Sequence, residues 1–261
     1  MKINKLLILS LFLGLMSCSG NKNQTSEAGD INLDGAIANA ESRRKADPNA
    51  SGGNECLLGY QTKYNELITE NDVLAATGFS KEVMETKSNT VMKKPEYHSF
   101  KYKFMNGRMS TVGIRKGLPL PDVVEVKSIK PMSLTAFENI YRAISDEEMK
   151  VAKDGLNDVA EGNSGNAEAD AALKNAEEKN VSKEQVKEIG SSMMDAFKNI
   201  SKGYRVVEDL GDAARWNIFT NELQVLKNGV QFVVASDVSD DNEKNKSVAI
   251  QMAKIILSKC K

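Results

Sequence analysis

The stretch Tyr97-His98-Ser99-Phe100-Lys101-Tyr102-Lys103-Phe104 alternates large and polar side chains with a period of two. Successive side chains of a strand point to opposite faces. His98, Phe100, Tyr102 and Phe104 therefore share one face, and Ser99, Lys101 and Lys103 share the other. A strand with one buried and one wet face belongs to an antiparallel sheet. Asn106-Gly107 follows directly, a residue pair suited to a tight hairpin. The spacing predicts that Met109 to Lys116 returns as the partner strand and that Asp122 to Ile129 adds another.

Helical signals lie on both sides of this β run. Before it, Thr69 can cap a helix, Asp72 sits at the third helical position and Gly78 can close the end. After Pro131, Phe137, Ile140, Tyr141 and Ile144 form a helical stripe. Ser145 with Glu148 predicts a capping box for a helix carrying Met149, Ala152, Leu156 and Val159. Residues 167–179 are rich in alanine and charge and read as a solvated helix or a loose excursion. Ser182 with Gln185 opens a helix with Val186, Ile189, Met193, Phe197 and Ile200 on one side. Strand patterns resume at YRVVEDLG, ARWNIF and ELQVLKNGVQFVVAS, with Asn228-Gly229 as a second hairpin turn. Asp240 with Glu243 predicts the cap of a final helix bearing Val248, Met252, Ile255 and Ile256. Strands in runs instead of single alternation with helices give an α+β class. The expected architecture is an antiparallel sheet packed with helices, with two diverged β-hairpin halves joined by a helical insertion as one form of it.

The N-terminus sets location. Lys2 and Lys5 precede an apolar run from Leu6 to Met16, broken by Ser10 and Gly14. Eleven helical residues rise about 16 Å, roughly half a bilayer core. A cleaved export signal fits this better than a spanning helix. Ser17, Cys18, Ser19 and Gly20 supply small residues for a cut site.

Leu15-Met16-Ser17-Cys18 resembles the lipobox of bacterial lipoproteins. The resemblance implies that the Cys18 thiol receives a diacylglyceryl group and that a peptidase cuts before Cys18, whose new amino group is then acylated. Met16 is larger than the residue most common at its place. An ordinary signal peptide or an uncleaved anchor helix would be the other readings of the same stretch. With Ser19 after the cysteine, the resemblance implies the outer membrane, facing the periplasm or the surface. A second resemblance rests on LITENDVLAATG and on VVEDLGDAARWNIFTNELQVLKNGVQFVV. Both are similar to segments of a family of small exported bacterial lipoproteins, which implies a mixed sheet and the same location but no catalytic residues. Val207 to Ala213 matches only part of that family's glycine-rich turn.

Three segments follow: a lipoprotein signal over 1–17, a lipid-anchored tether over 18–54, and one α+β domain over 55–261 with a helical insertion at about 132–200. The tether is small and polar at 19–30 and broken again by DPNASGGN at 47–54, with a short helix possible near 32–46. Beyond Cys18 there are two cysteines, Cys56 and Cys260, which in an exported chain either form one disulfide or stay as buried thiols.

The chemistry that a catalytic or metal site needs is sparse. His98 is the one histidine, so any Ser-His-Asp or Cys-His arrangement must use it; on an aromatic strand face it reads as structural. Trp216 reads as a core anchor, with ligand stacking as the other use of an indole. DVSDDNE at 237–243 departs from a calcium loop, with Asn242 at the glycine place and Val248 at the last ligand place. Neither a catalytic motif nor a metal or cofactor motif emerges. The net charge of −1 argues against a nucleic-acid protein. Charge is uneven, however: residues 81–130 hold eleven Lys/Arg and five Asp/Glu, and residues 131–180 the reverse. Lys93, Lys94, Lys101, Lys103, Arg108, Arg115 and Lys116 therefore form a candidate patch for an anionic partner, unless they are solvated or pair within the fold. The expected function is a lipid-anchored, non-catalytic binding module whose partner is an envelope protein, glycan or lipid. An envelope hydrolase using paired carboxylates from the 122–148 region is the alternative.

Overall fold

Side-chain caps start the helices close to where the sequence places them. The computed structural model describes residues 53–111, 116–178 and 180–260. Asn54 caps α1 (Glu55–Gly59), its Oδ1 accepting from the Leu57 N–H at 3.1 Å. A short α2 (Tyr64–Leu67) follows. Thr69 and Asp72 form a reciprocal capping box on α3 (Glu70–Thr77), and Gly78 closes it in the left-handed conformation. The short helix read near 32–46 lies outside the described residues.

Two units are formed. Of the described residues, one contains Ala143–Lys202 and the other contains 53–142 and 203–260. In the second unit, β1 (Met84–Asn89), β2 (Ser99–Phe104) and β3 (Asp122–Pro131) precede α4 (Leu134–Ile140). After the helical unit come β4 (Tyr204–Val206), β5 (Ala213–Asn217), β6 (Glu222–Lys227), β7 (Val230–Asp237) and α8 (Asn242–Lys259). Among the described residues these seven strands make one antiparallel sheet in the order β1-β2-β3-β7-β6-β5-β4. The fold is α+β: a three-strand and a four-strand meander meet at β3 and β7. Helix α4 packs on β5, so the helical insertion begins later than 132.

One sheet face holds the core. Tyr102, Phe104, Val124, Val126, Trp216, Leu223, Val225, Phe232 and Val234 are buried there with Val248, Ala249, Met252, Ala253 and Ile256 of α8. Trp216 is a core anchor whose indole N–H donates to Asn242 Oδ1 at 2.9 Å. A register shift in β3 between Lys127 and Lys130 marks a bulge, with Ser128 at φ 58°. A bulge frees main-chain groups from the ladder. Here the Ile129 N–H donates to Tyr64 Oη at 2.9 Å, and Gln61 Nε2 donates to the Ile129 carbonyl at 2.8 Å. At Gly211, φ is 68° and a Cβ would meet the Leu226 carbonyl oxygen at 2.4 Å, so no side chain fits.

Among the described residues of the expected strand from Met109 to Lys116, which exclude 112–115, none belongs to a strand. Met109 makes only an isolated bridge, to Pro119. Both sides of β2 are taken by β1 and β3, whose registers are continuous along it. The Asn106-Gly107 turn therefore has no free strand edge to return to, and Pro119 and Pro121 cannot donate to a ladder. Asn228-Gly229, in contrast, joins β6 to β7 with φ of 47° and 71°, both in the left-handed region that a tight hairpin requires.

In the helical unit, Ser145 with Glu148 caps α5 (Asp146–Glu161), and Ser182 with Gln185 caps α7 (Lys183–Ser201). Residues 167–178 form α6 (Ala167–Glu178) instead of a loose excursion. Its Leu173 and Ala176 join Leu156, Ala160 and Val186 in a small core of this unit.

Buried phenols give the sheet unit a measurable alkaline limit. Burial pushes the hydroxyls of Tyr64 and Tyr102 up from 10.0 to about 12. Tyr102 Oη also donates to the Ile68 carbonyl at 2.7 Å. The folded chain keeps protons that the unfolded chain releases from about pH 10, so stability falls as pH rises from about 10 toward 12. Tyrosinate absorbance is expected to show part of the six tyrosines ionising late and together with unfolding, and Tyr102→Phe is expected to remove one late group. Simultaneous ionisation of all six near pH 10 in the folded chain would contradict this.

Candidate functional site

Cys56 and Cys260 are joined by a disulfide, with Cα atoms 5.5 Å apart and a sequence separation of 204. Their elements are tied by more than sulfur. Asn54 Nδ2 donates to the Cys260 carbonyl at 3.1 Å, and Lys259 Nζ to the Glu66 carbonyl at 2.9 Å. The point where the chain enters the fold is thus fastened to the end of its last helix. Cys18 and Arg115 lie outside the described residues.

The remaining candidates for an anionic-partner patch do not act as one group. Lys101 pairs with Glu125 at 3.3 Å, and Ser99 Oγ donates to the same carboxylate at 2.6 Å. Lys103 pairs with Glu85 at 3.1 Å. These pairs follow from register: Lys101 stands opposite Glu125, and Lys103 opposite Glu85. Lys93, Lys94 and Lys116 are exposed on the segments that leave and approach β2. The positive charge is therefore interleaved with acids on the outer face.

Arg108 departs furthest from a surface role. Its side chain is 13% exposed. Nε lies 2.6 Å from Asp122 Oδ1, Nη1 donates to Asp237 Oδ1 at 3.0 Å and to Asp240 at 3.4 Å, and Nη2 donates to the Asp237 carbonyl at 2.9 Å. Burial works against the guanidinium's charge, but Asp237 and Asp122 outweigh it and hold Arg108 above its ordinary value. Burial pushes the Asp122 carboxyl up, against the Asn106 hydrogen bond and the Arg108 charge. The contrast has a simple cause: three carboxylates serve one cation, while Asp122 is the most buried of them. Carboxylates that the sequence placed in unrelated segments thus meet on a guanidinium instead of facing each other across a cleft. Asp240 is consumed here, and Asp241 caps α8 in its place.

A polar row also crosses the outer sheet face. Lys127 pairs with Glu222, Gln224 Nε2 donates to Glu222 at 3.3 Å, and Gln231 Nε2 donates to Tyr141 Oη at 2.6 Å. Tyr141 stacks edge-on with Phe137 and Tyr204, and burial raises its hydroxyl strongly. The amide oxygens of Gln224 and Gln231 are buried without a protein donor among the described residues. Sequence periodicity marks these positions only as the wet side of strands; at Gln231 the cover is Tyr141, the residue that ends α4. His98 is half-buried and its Nε2 sits 2.7 Å from the Met92 carbonyl, a contact that holds the β1–β2 connection.

No helix among the described residues is long and apolar enough to cross a membrane. No family model, curated protein or solved structure matches the chain.

Proposed function

We propose that the chain is a lipid-anchored, non-catalytic interaction module of the bacterial cell envelope. The observation that carries this is Leu15-Met16-Ser17-Cys18 at the end of a short apolar run with a basic head. Acylation of Cys18 supplies the anchor, since one chain holds a protein only marginally and two or more hold it stably. The Cys56–Cys260 disulfide supports export, because such bridges persist in oxidising compartments. The fold then serves as a presented surface, built from interleaved charge on the outer sheet face and open strand edges. The partner met there is a protein, glycan or lipid of the envelope. Cys18→Ser is expected to abolish incorporation of labelled fatty acid and retention by membranes. Unchanged label and retention in that variant would overturn the reading.

A further inference from the structure

We infer that β1 is a self-association edge, at which two copies of this chain join their sheets by antiparallel pairing centred on Thr86. The inference stands whether or not the chain is anchored. β1 ends the sheet and among the described residues pairs only with β2. From Glu85 to Asn89 it is exposed. Sheet edges are commonly blunted by brevity, charged side chains, proline or a bulge, and of these β1 carries only charge, at Glu85 and Lys87. β4, the opposite edge, is three residues long. β1 has six residues, no proline and an unbroken register with β2.

Which main-chain groups are free follows from one hydrogen bond. The Met105 N–H donates to the Val83 carbonyl at 3.1 Å. Hydrogen-bonding direction alternates along an antiparallel strand, so Glu85, Lys87 and Asn89 also turn their main-chain groups toward β2. Thr86 and Ser88 turn theirs outward. The Met84 carbonyl faces outward too, while its N–H is used by the Lys81 carbonyl.

Charge selects the register. Residues opposed across an antiparallel pair point to the same side, so the near-central arrangements place Glu85 opposite Glu85, Lys87 opposite Lys87, or Thr86 opposite Thr86. The first two oppose like charges, which is unfavourable. The third sets Glu85 opposite Lys87 of the second copy, and the reverse, at the closely spaced non-hydrogen-bonded positions. In that register the two Thr86 residues exchange main-chain hydrogen bonds, and each Ser88 N–H donates to the Met84 carbonyl of the other copy. Lys87 stands opposite Lys101 in its own sheet, so Glu85 of the second copy adds an opposite charge beside two like ones. A contact this short buries less than the ~1,000 Å² of a stable interface, so the dimer is weak and concentration-dependent.

The test is cross-linking of the full chain. Opposed residues at a hydrogen-bonded pair have Cα atoms about 5.5 Å apart, within disulfide reach. Thr86→Cys is expected to give an oxidised dimer, linked through position 86, on a non-reducing gel. Ser88→Cys, opposite Met84 of the second copy, is expected to give far less. Adding Lys87→Glu to Thr86→Cys should cut the yield several-fold, and adding Glu85→Lys as well should restore it. Absence of the Thr86→Cys dimer, equal yield from Ser88→Cys, or indifference to Lys87→Glu would each overturn the proposal.

Discussion

Loss of the Cys56–Cys260 bridge is expected to destabilise the sheet unit by about 5 kcal/mol. With the cysteines separated by 204 in sequence, the chain-entropy relation places the bridge at the upper end of what disulfides contribute. For a domain of this size that corresponds to a fall in Tm of about 10 °C or more. The bridge also holds α1 against the end of α8, where Asn54 reaches the Cys260 carbonyl. Thermal unfolding of the Cys56→Ser/Cys260→Ser chain, compared with the parent chain with and without reductant, measures the effect. The reduced parent should melt with the double variant. Equal Tm values for oxidised and reduced protein would contradict the expectation.

The second large effect is expected at Arg108. Arg108→Met removes the one guanidinium that faces Asp122, whose side chain is 4% exposed. Leaving such a charge buried and unpaired costs about 3–5 kcal/mol. The pH dependence follows from the sign of the Asp122 shift. Its carboxyl already lies above the usual range through burial, and losing the cation raises it further. The folded variant then binds a proton that the unfolded chain gives up, so stability is lost as pH rises through that range. The penalty is therefore expected to be smaller in acid than at neutral pH. Arg108→Met with Asp122→Asn should recover part of the loss, since an amide oxygen still accepts from Asn106. Denaturant unfolding at two pH values gives both readings, and equal losses at the two would contradict the buried-charge explanation.

Local signals carried much of the fold, and long-range pairing carried the rest. Thr69 with Asp72, Ser145 with Glu148 and Ser182 with Gln185 were legible because a cap is decided within four residues. Asn228-Gly229 turned as expected because the strands beside it were free to pair. Asn106-Gly107 carried the same local signal and formed no tight hairpin, because β1 and β3 already occupy β2. The charge excess over 81–130 was real in composition, but register set Lys101 and Lys103 against Glu125 and Glu85. Arg108 looked like a surface residue, since two of its three acids lie 129 and 132 positions away in sequence. Helix α6 reads in sequence as either a solvated helix or a loose excursion because alanines make most of its buried stripe, and small side chains carry little hydropathy signal.

The central claim, an exported chain held by lipid at Cys18, is most directly tested by the intact mass of the protein extracted from membranes. The expected species begins at Cys18, carries acyl groups on that residue and lacks residues 1–17, with Cys56 and Cys260 oxidised to each other. A chain that begins at Met1, or one with an unmodified Cys18, would contradict the account.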